Sequence, residues 1–533
     1  MRAKLLPAVA ALLAAGLYFP TRRFDFVWDD WLLVPVPPYT TLDWLAVWAR
    51  PGNGVHYLPV RDSSLILDTW LFGSWPGGFH LTNVVLFAVA GALAAWSYRA
   101  LLLRSRDPGY VSRASGLALA SALVFVAHPL QVESVAFVSS RNGLLALVFA
   151  LAGALSYGRY VEQRRPVAWL ASLAFVWAAL LSKQTAVTLP LVLLLLHLHL
   201  SRKDGLRDAT LPLVPHLASG AAAALLHARV AADAGIFVAE TGALDILSRA
   251  SMALFVPVFY LAKLLWPIPL TVEYDLGPWR EHAPLLAAAS ALLLLAFAEV
   301  VRRGGQTRSL AWFLALASLA IAAPILNLLP TVPAVADRYV QLPLVMLVPL
   351  VLIPPLRRLP RRSAVVLVCL LVGVLSTLTL EQLPVWRDDA SLFAHAEAHH
   401  PRPAQTLGNL GMALFERGEE ERALDVLLRL REILPEDFRY AYVRGILAER
   451  RGRLEEAEAW YREASLGRGE QAYVAAMRLG DLELRRGNRQ AAREAYAMAL
   501  EGTRSARFAD AHRRALEVRL RLLGGASPPR KDP

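Results

Sequence analysis

The 533-residue chain has a single cysteine, Cys369, and it stands in an apolar run. One cysteine excludes an intrachain disulfide and every metal or redox motif built on paired thiolates. Charge is also scarce. Asp, Glu, Lys and Arg make up 19% of the residues, against about 25% in ordinary soluble domains. Acidic residues number 44 against 56 basic ones, giving a formal charge of +12. In a chain this apolar, such an excess belongs to loops on the cytoplasmic side of a membrane, so it does not imply nucleic-acid binding. No His, Cys and carboxylate spacing argues for a bound metal.

What replaces charge is hydrophobic length. Hydrophobic residues are 56% of the chain, and mean hydropathy is +0.40. About twelve apolar segments can be read along residues 5–380, several of them shorter than a comfortable membrane span. Basic clusters mark the cytoplasmic ends: Arg2/Lys4, Arg99/Arg104/Arg106/Arg113, Arg159/Arg164/Arg165, Arg202/Lys203/Arg207, Arg302/Arg303/Arg308 and Arg357/Arg358/Arg361/Arg362. Most neighbouring clusters enclose two apolar segments, as one excursion out and back requires. Lys203 and Arg302 enclose three, and an odd number cannot begin and end on one side. Ser251–Pro267, bounded by Pro267 and Pro269, is the segment expected not to cross. This leaves about eleven spans, with the N-terminus cytoplasmic and the C-terminal region outside. Residues 1–20 resemble a signal sequence. They lack a clean small-x-small cleavage site before Arg22, so a retained anchor is the expectation. The Ala-, Leu- and Arg-heavy composition suggests a bacterial source and an inner-membrane location.

That topology gathers the unusual charges on one face. The outside loops, about 21–78, 129–142, 182–186, 231–282 and 330–339, hold Asp29, Asp30, Arg61, Glu133, Arg141, Lys183, Glu273, Asp275, Asp337 and Arg338. Charge converging at a membrane surface is costly to desolvate and marks a candidate site.

After Glu381 the composition changes to charged residues alternating with small apolar ones. Gly418, Gly452 and Gly487 stand 34 and 35 residues apart, and Ala423, Ala457 and Ala492 repeat the same intervals. A 34-residue period with small residues at helix crossings is the tetratricopeptide repeat. Three repeats and a capping helix are expected over 403–523, after a linker at 383–402 and before a disordered tail at 524–533. Residues 1–382 form the membrane domain, with 21–78 as its large first outside loop. The fold class is therefore all-α: a polytopic helical membrane domain followed by an α-solenoid.

The pairing of these halves resembles the transmembrane-and-tetratricopeptide-repeat O-mannosyltransferases, polytopic glycosyltransferases of the GT-C class. The resemblance rests on Phe26-Val27-Trp28-Asp29-Asp30, Tyr57-Leu58-Pro59-Val60 before Leu71-Phe72-Gly73, Gly78-Phe79-His80-Leu81-Thr82-Asn83, His128-Pro129-Leu130-Gln131-Val132-Glu133-Ser134-Val135, Ser140-Arg141, Ser182-Lys183-Gln184 and Asp337-Arg338-Tyr339. The family often has Tyr-Arg-Pro where this chain has Tyr57-Leu58-Pro59, and Lys-Glu where it has Lys183-Gln184. The resemblance implies a polyprenyl-phosphate sugar as donor, the acidic motif of the first loop at the reaction centre, and membrane lipid and an acceptor protein or peptide as partners.

Such a transfer requires a base for the acceptor hydroxyl and positive charge for the departing phosphate. Asp29 is the expected base, with Asp30 as second choice or positioning group. The bland alternative is that Asp30 caps a helix starting at Trp31. Arg61, Arg141, Lys183 and Arg338 are the phosphate candidates, against simple snorkelling toward headgroups. Glu133 is expected either to pair with Arg141 or to contact the sugar. His128 reads as a hydrogen-bonded interfacial residue rather than a metal ligand. Glu273 and Asp275 read as a solvated loop, and His399 and His400 as a surface pair. Two rival functions stay open: a membrane-anchored scaffold in which only the repeats act, and an enzyme whose acceptor is a glycolipid.

Overall fold

The computed structural model describes residues 5–34, 39–51, 56–105, 107–201, 206–233, 246–274, 282–302, 308–326, 335–399, 404–467, 472–504 and 510–524. Asp275, His400 and all but the first residue of the expected tail lie outside them. Among the described residues there are helices and turns but no strand. The chain divides into two compact units, Met1–Leu392 and Phe393–Pro533.

In the first unit the helices run α1 (Leu6–Tyr18), α2 (Asp30–Leu33), α3 (Trp44–Ala49), α4 (Pro59–Phe72), α5 (Pro76–Leu103), α6 (Pro108–Ala127), α7 (Val132–Ala136), α8 (Arg141–Gln163), α9 (Pro166–Leu180) and α10 (Leu189–Leu200). They continue with α11 (Leu206–Thr210), α12 (Val214–Asp233), α13 (Ile246–Leu265), α14 (Ala283–Arg302), α15 (Arg308–Ala322), α16 (Gln341–Arg358) and α17 (Arg361–Gln382); α18 (Asp389–His399) begins in the first unit and runs on past Leu392. Pro59, Pro76, Pro108 and Pro166 each occupy a first helical position, where the missing N–H costs no bond and the ring already holds φ near the helical value.

Six helical stretches among the described residues are long and apolar enough to cross a membrane: Pro76–Leu103, Pro108–Ala127, Val138–Gln163, Leu206–Asp233, Gln341–Arg358 and Arg361–Trp386. Pro166–Leu180, Gln184–Leu200, Ala283–Glu299 and Ser309–Ile325 are apolar but shorter. The protein is an integral membrane protein on this pattern. The segment expected not to cross falls in α13, which carries Pro257 inside it and is in neither set.

Close helix approach uses small residues, because lipid tails offer no hydrophobic advantage to a bulky interface. α1 packs on α5 through Ala10 and Ala14, both fully buried. A Cβ on Gly91 of α5 would stand 2.8 Å from Val126 Cγ1 and 3.5 Å from the Ala10 carbonyl oxygen. α17 is the opposite case: Val365, Val366, Leu370 and Val374 are exposed, which suits a lipid-facing helix.

At one end of this bundle the connections are tight turns. Pro129–Gln131, α7 and Val138–Ser140 join α6 to α8, and Gln184–Thr188 joins α9 to α10. Asp337–Tyr339 precedes α16, and Leu383–Trp386 follows α17. Both of these last turns pack against α7. Glu133 of α7 and Arg338 of the Asp337–Tyr339 turn are brought together there.

The second unit holds three helix pairs: α19 (Ala404–Glu416) with α20 (Glu420–Ile433), α21 (Arg439–Arg450) with α22 (Leu454–Leu466), and α23 (Tyr473–Arg485) with α24 (Arg489–Gly502). α25 (Asp510–Leu522) packs on α24. Gly418, Gly452 and Gly487 turn each pair at φ +82°, +72° and +82°, which a side chain would resist. Ala423, Ala457 and Ala492 are fully buried at the crossings. Ring contacts explain a second repeating glycine: a Cβ on Gly445 would lie 2.6 Å from the Tyr461 ring, and one on Gly480 would lie 2.5 Å from Tyr496.

Candidate active site

The first loop sends its two adjacent carboxylates into different surroundings. Phe24–Val27 is extended, with Phe26 edge-on to Phe79 at 5.4 Å and Val27 fully buried. Trp28 then adopts φ +51°, a left-handed conformation that a bulky residue rarely takes. Such backbone costs roughly 1–3 kcal/mol unless its surroundings impose it. Three contacts impose it here. The Trp28 N–H donates to Asp389 Oδ1 at 2.7 Å. Its ring stacks on Phe137, with centroids 5.7 Å apart and planes at 13°. The Arg338 guanidinium lies 5.5 Å from the ring centroid, within cation–π range.

Beyond this reversal Asp30 points inward. Its Oδ1 accepts the Ser139 N–H and the Ser139 hydroxyl, both at 2.6 Å, and its Oδ2 accepts the Val27 and Val138 N–H groups at 3.3 and 3.4 Å. The carboxylate thus staples the first loop to the Val138–Ser140 turn. Burial pushes its pKa up to about 7 against those bonds. The simple cap on a helix from Trp31 is not what forms: α2 begins at Asp30 itself, and the carboxylate bonds backward and across.

Asp29 is only partly buried; its carbonyl oxygen accepts the Leu32 N–H, but its carboxylate makes no hydrogen bond or ion pair to a described residue. Burial raises its pKa above the usual carboxylate range, and the nearby Arg338 charge opposes that rise. It is the acidic group of the pair whose proton affinity is raised and whose oxygens are uncommitted.

Arg338 is held by Glu133 from two directions. The Arg338 N–H donates to Glu133 Oε2 at 3.0 Å, and Nη1 forms an ion pair with Oε1. Burial alone would weaken the charged guanidinium, but Glu133 and Tyr339 outweigh it and keep it protonated. Lys183 lies next in the chain of charges. It is 7% exposed, and its Nζ donates to the Arg338 carbonyl oxygen at 3.4 Å. Burial, with help from Arg338 and against Glu133, lowers its pKa to about 8. Gly143 makes room for it: a Cβ there would stand 3.1 Å from Lys183 Nζ and collide with Gln341 Oε1. Gln341 is fully buried, and neither atom of its amide has a hydrogen-bond partner. Behind Arg338, Asp337 accepts the Tyr274 hydroxyl at 2.7 Å, and burial together with Glu133 raises its pKa.

Two expected phosphate ligands are committed elsewhere. Arg61, 3% exposed, pairs with its neighbour Asp62 at 2.6 Å, and Tyr39 donates to the same carboxylate at 3.1 Å. Arg141, fully buried, pairs with Asp68 at 2.5 Å and donates to Asn83 Oδ1 and the Phe79 carbonyl oxygen, both at 2.8 Å. The Arg141 pair ties α8 to α4, while the Arg61 pair lies within α4 and takes in Tyr39; a buried cation keeps its charge only with partners of its own. Glu133 pairs with Arg338 instead of Arg141. His128 bridges backbone: Nε2 is 3.0 Å from the Leu264 carbonyl oxygen, and Nδ1 accepts the Leu130 N–H at 3.2 Å. Its pKa falls to about 4 on burial. The structure therefore joins Asp29, Glu133, Lys183 and Arg338, uses Asp30 as a staple beside them, and leaves Arg61 and Arg141 in separate pairs. Among the described residues no group of three or more His, Cys, Asp or Glu could hold a metal ion. The sequence reading missed Gln341 and Asp389. A lone glutamine opening an apolar helix three residues after Arg338 was the available signal for the first; nothing local distinguishes the second.

A membrane bundle with a cluster of buried charges in its connecting turns, joined in one chain to helical repeat pairs, defines a helical integral membrane protein with a repeat unit. No family model matches the chain. By sequence it is related to the protein O-mannosyl-transferases of the TMTC type. It is 32% identical over 214 residues to mouse protein O-mannosyl-transferase TMTC1, covering 35% of this chain and 22% of that protein. It is 30% identical over 294 residues to Drosophila melanogaster protein O-mannosyl-transferase Tmtc2, covering 50% and 30%. Against human TMTC1 the identity is 28% over 210 residues, covering 34% and 23%. The matched part of the chain thus spans less than a third of the length of each of these relatives.

Proposed function

We propose that this chain is an integral-membrane glycosyltransferase that moves a sugar, mannose by analogy with the names of its relatives, from a polyprenyl-phosphate donor to a protein hydroxyl on the extracytoplasmic face. The observation that carries the reading is the partly buried Asp29 carboxylate, free of hydrogen bonds, beside the linked cations Arg338 and Lys183.

In the step proposed, Asp29 takes the proton of the acceptor hydroxyl as its oxygen bonds to the sugar C1. The bond from C1 to the phosphate oxygen breaks, and the electron pair leaves with the polyprenyl phosphate. Arg338 and Lys183 meet the charge that grows on that phosphate, in a site dry enough for the interaction to count. Glu133 takes one edge of the Arg338 guanidinium and aims the remainder. Asp30 is committed to backbone and Ser139 donors and Glu133 to Arg338, which favours Asp29 acting alone in a single displacement with inversion. Among the described residues nothing supports a divalent cation in this step. The repeat unit contributes binding instead of chemistry. It carries a groove of about 440 Å³ lined in part by Arg450, Arg478, Arg485 and Arg486, and holding an acceptor there raises its effective concentration.

The test is transfer by the purified full chain from short-chain polyprenyl-phosphate mannose to a Ser/Thr peptide, with GDP-mannose as the competing donor. The reading expects transfer from the lipid donor alone, and donor affinity weakened roughly 10-fold or more in Lys183→Gln, the loss of a charge-assisted phosphate contact. Transfer from GDP-mannose without a lipid intermediate, or an inert wild-type chain, contradicts it.

A further inference from the structure

Trp28 stands in left-handed backbone immediately before the proposed base, and the group that fixes its N–H comes from 361 residues away. We propose that Asp389 is a positioning residue for the transfer: it holds the Trp28 turn in the conformation that aims Asp29 at the acceptor. This rests on the functional reading above.

The local architecture gives the capping of α18 to another residue. α18 begins at Asp389, but its N-terminus is capped by the preceding residue: Asp388 Oδ1 accepts the Ser391 N–H at 2.8 Å. The helix therefore does not need the Asp389 carboxylate as a cap, and that carboxylate accepts the Trp28 N–H instead, a charge-assisted bond to a strained turn. A second tie lies beside it, since the Asp25 N–H donates to the Arg387 carbonyl oxygen at 2.9 Å. A third follows from the rings: Trp386 packs on Phe137 at 5.5 Å, and Phe137 stacks on Trp28. Residues 386–389, the exit from the last membrane helix, thus grip the loop of the base by backbone, ring and carboxylate together. Arg338 touches the Trp28 ring, but its anchor is the two-point hold of Glu133, and Lys183 is anchored on the Arg338 carbonyl oxygen, so neither cation depends on Asp389 for its place.

This independence predicts which kinetic constant moves. Removing the carboxylate takes away the partner of the Trp28 N–H and loosens the turn that the two ring contacts alone must then hold, so Asp29 loses its aim while the phosphate cations keep their own anchors. Asp389→Ala is expected to lower kcat roughly 10- to 100-fold, the size of effect that small misplacement of a catalytic group produces. Donor KM should stay within about twofold of the wild type. Asp389→Asn keeps an acceptor oxygen at the same reach and should restore most of the loss. Asp388→Ala weakens the cap of α18 and should lower the unfolding temperature with kcat unchanged. Should Asp389→Ala not give monodisperse protein in detergent, Asp389→Ser, too short to reach Trp28, takes its place with the same expectation. A wild-type chain that transfers sugar, with kcat of the short variant within about twofold of it or donor KM rising as much as kcat falls, overturns the positioning role alone. A wild-type chain that transfers nothing overturns the functional reading beneath it.

Discussion

Both units of this protein are rich in ion pairs, and they use them in opposite ways. In the repeat unit the pairs lie on the surface between neighbouring helices, such as Arg431–Glu463 at 2.8 Å with side chains 35% and 46% exposed. In the membrane unit the pairs around the candidate site are sealed: Arg61–Asp62 is 3% and 0% exposed, Arg141–Asp68 is 0% and 2%, and Arg338–Glu133 is 16% and 1%. Exposed pairs contribute little because water already solvates both partners. Buried pairs add little net stability either, but each partner becomes indispensable once the other is present. A buried charge around the site is therefore either committed to partners of its own or available for chemistry, and exposure with bond count separates the two. Asp29 is on the free side of that line and Asp30 is not.

Substitutions can sharpen the contrast. The largest effect is expected for Arg141→Met. It strands Asp68 in the interior and should cost roughly 3–5 kcal/mol of folding stability, seen as a large drop in the detergent unfolding temperature. Replacing both partners, Arg141→Met with Asp68→Leu, should recover much of it. Asp30→Asn comes next. Its amide would set an N–H₂ against one pair of backbone N–H donors, at a cost of about 1–3 kcal/mol. In the repeats, packing should matter more than charge. Gly480→Ala forces a Cβ against Tyr496 and should cost about 1–3 kcal/mol. Arg431→Ala should cost less than about 1 kcal/mol. A result in which the surface pair outweighs the buried one would break the comparison.

The same contrast predicts the pH profile of transfer. A base must be deprotonated, and burial raises Asp29, so activity should fall on acidification at a pH above the ordinary carboxylate value of about 4. Lys183 must keep its proton to hold phosphate, and its pKa lies near 8. Donor affinity should therefore weaken as pH rises through about 8, and Lys183→Arg should remove that alkaline limb. An alkaline limb that persists in Lys183→Arg assigns it to another group.

How much of this was legible in the sequence follows from the same physics. The repeats were plain, because a turn needing positive φ and a crossing needing a small side chain recur at fixed intervals: Gly418, Gly452 and Gly487, then Ala423, Ala457 and Ala492. The neighbourhood of the site was also readable, since Glu133, Lys183 and Arg338 all follow from charges placed beside apolar runs. The partners were not. Glu133 and Arg338 are 205 residues apart, and Trp28 and Asp389 are 361 apart; no local pattern encodes such pairs. Arg61 and Arg141 stand among the phosphate candidates by their side of the membrane alone; the partners that claim them, Asp62 and Asp68 on α4, follow only from the fold. The short apolar segments blur the span count for a related reason: length alone does not separate a crossing helix from a buried one.

The central claim is that the adjacent carboxylates divide the work, Asp29 to chemistry and Asp30 to architecture. The direct measurement is single-turnover transfer by the full chain carrying Asp29→Asn, with donor binding and thermal unfolding recorded on the same preparation. The account predicts a loss of roughly 10²- to 10⁴-fold in the transfer rate, as for removal of a general base, with donor binding and unfolding temperature unchanged. Transfer at the wild-type rate by a folded, donor-binding Asp29→Asn protein would contradict it.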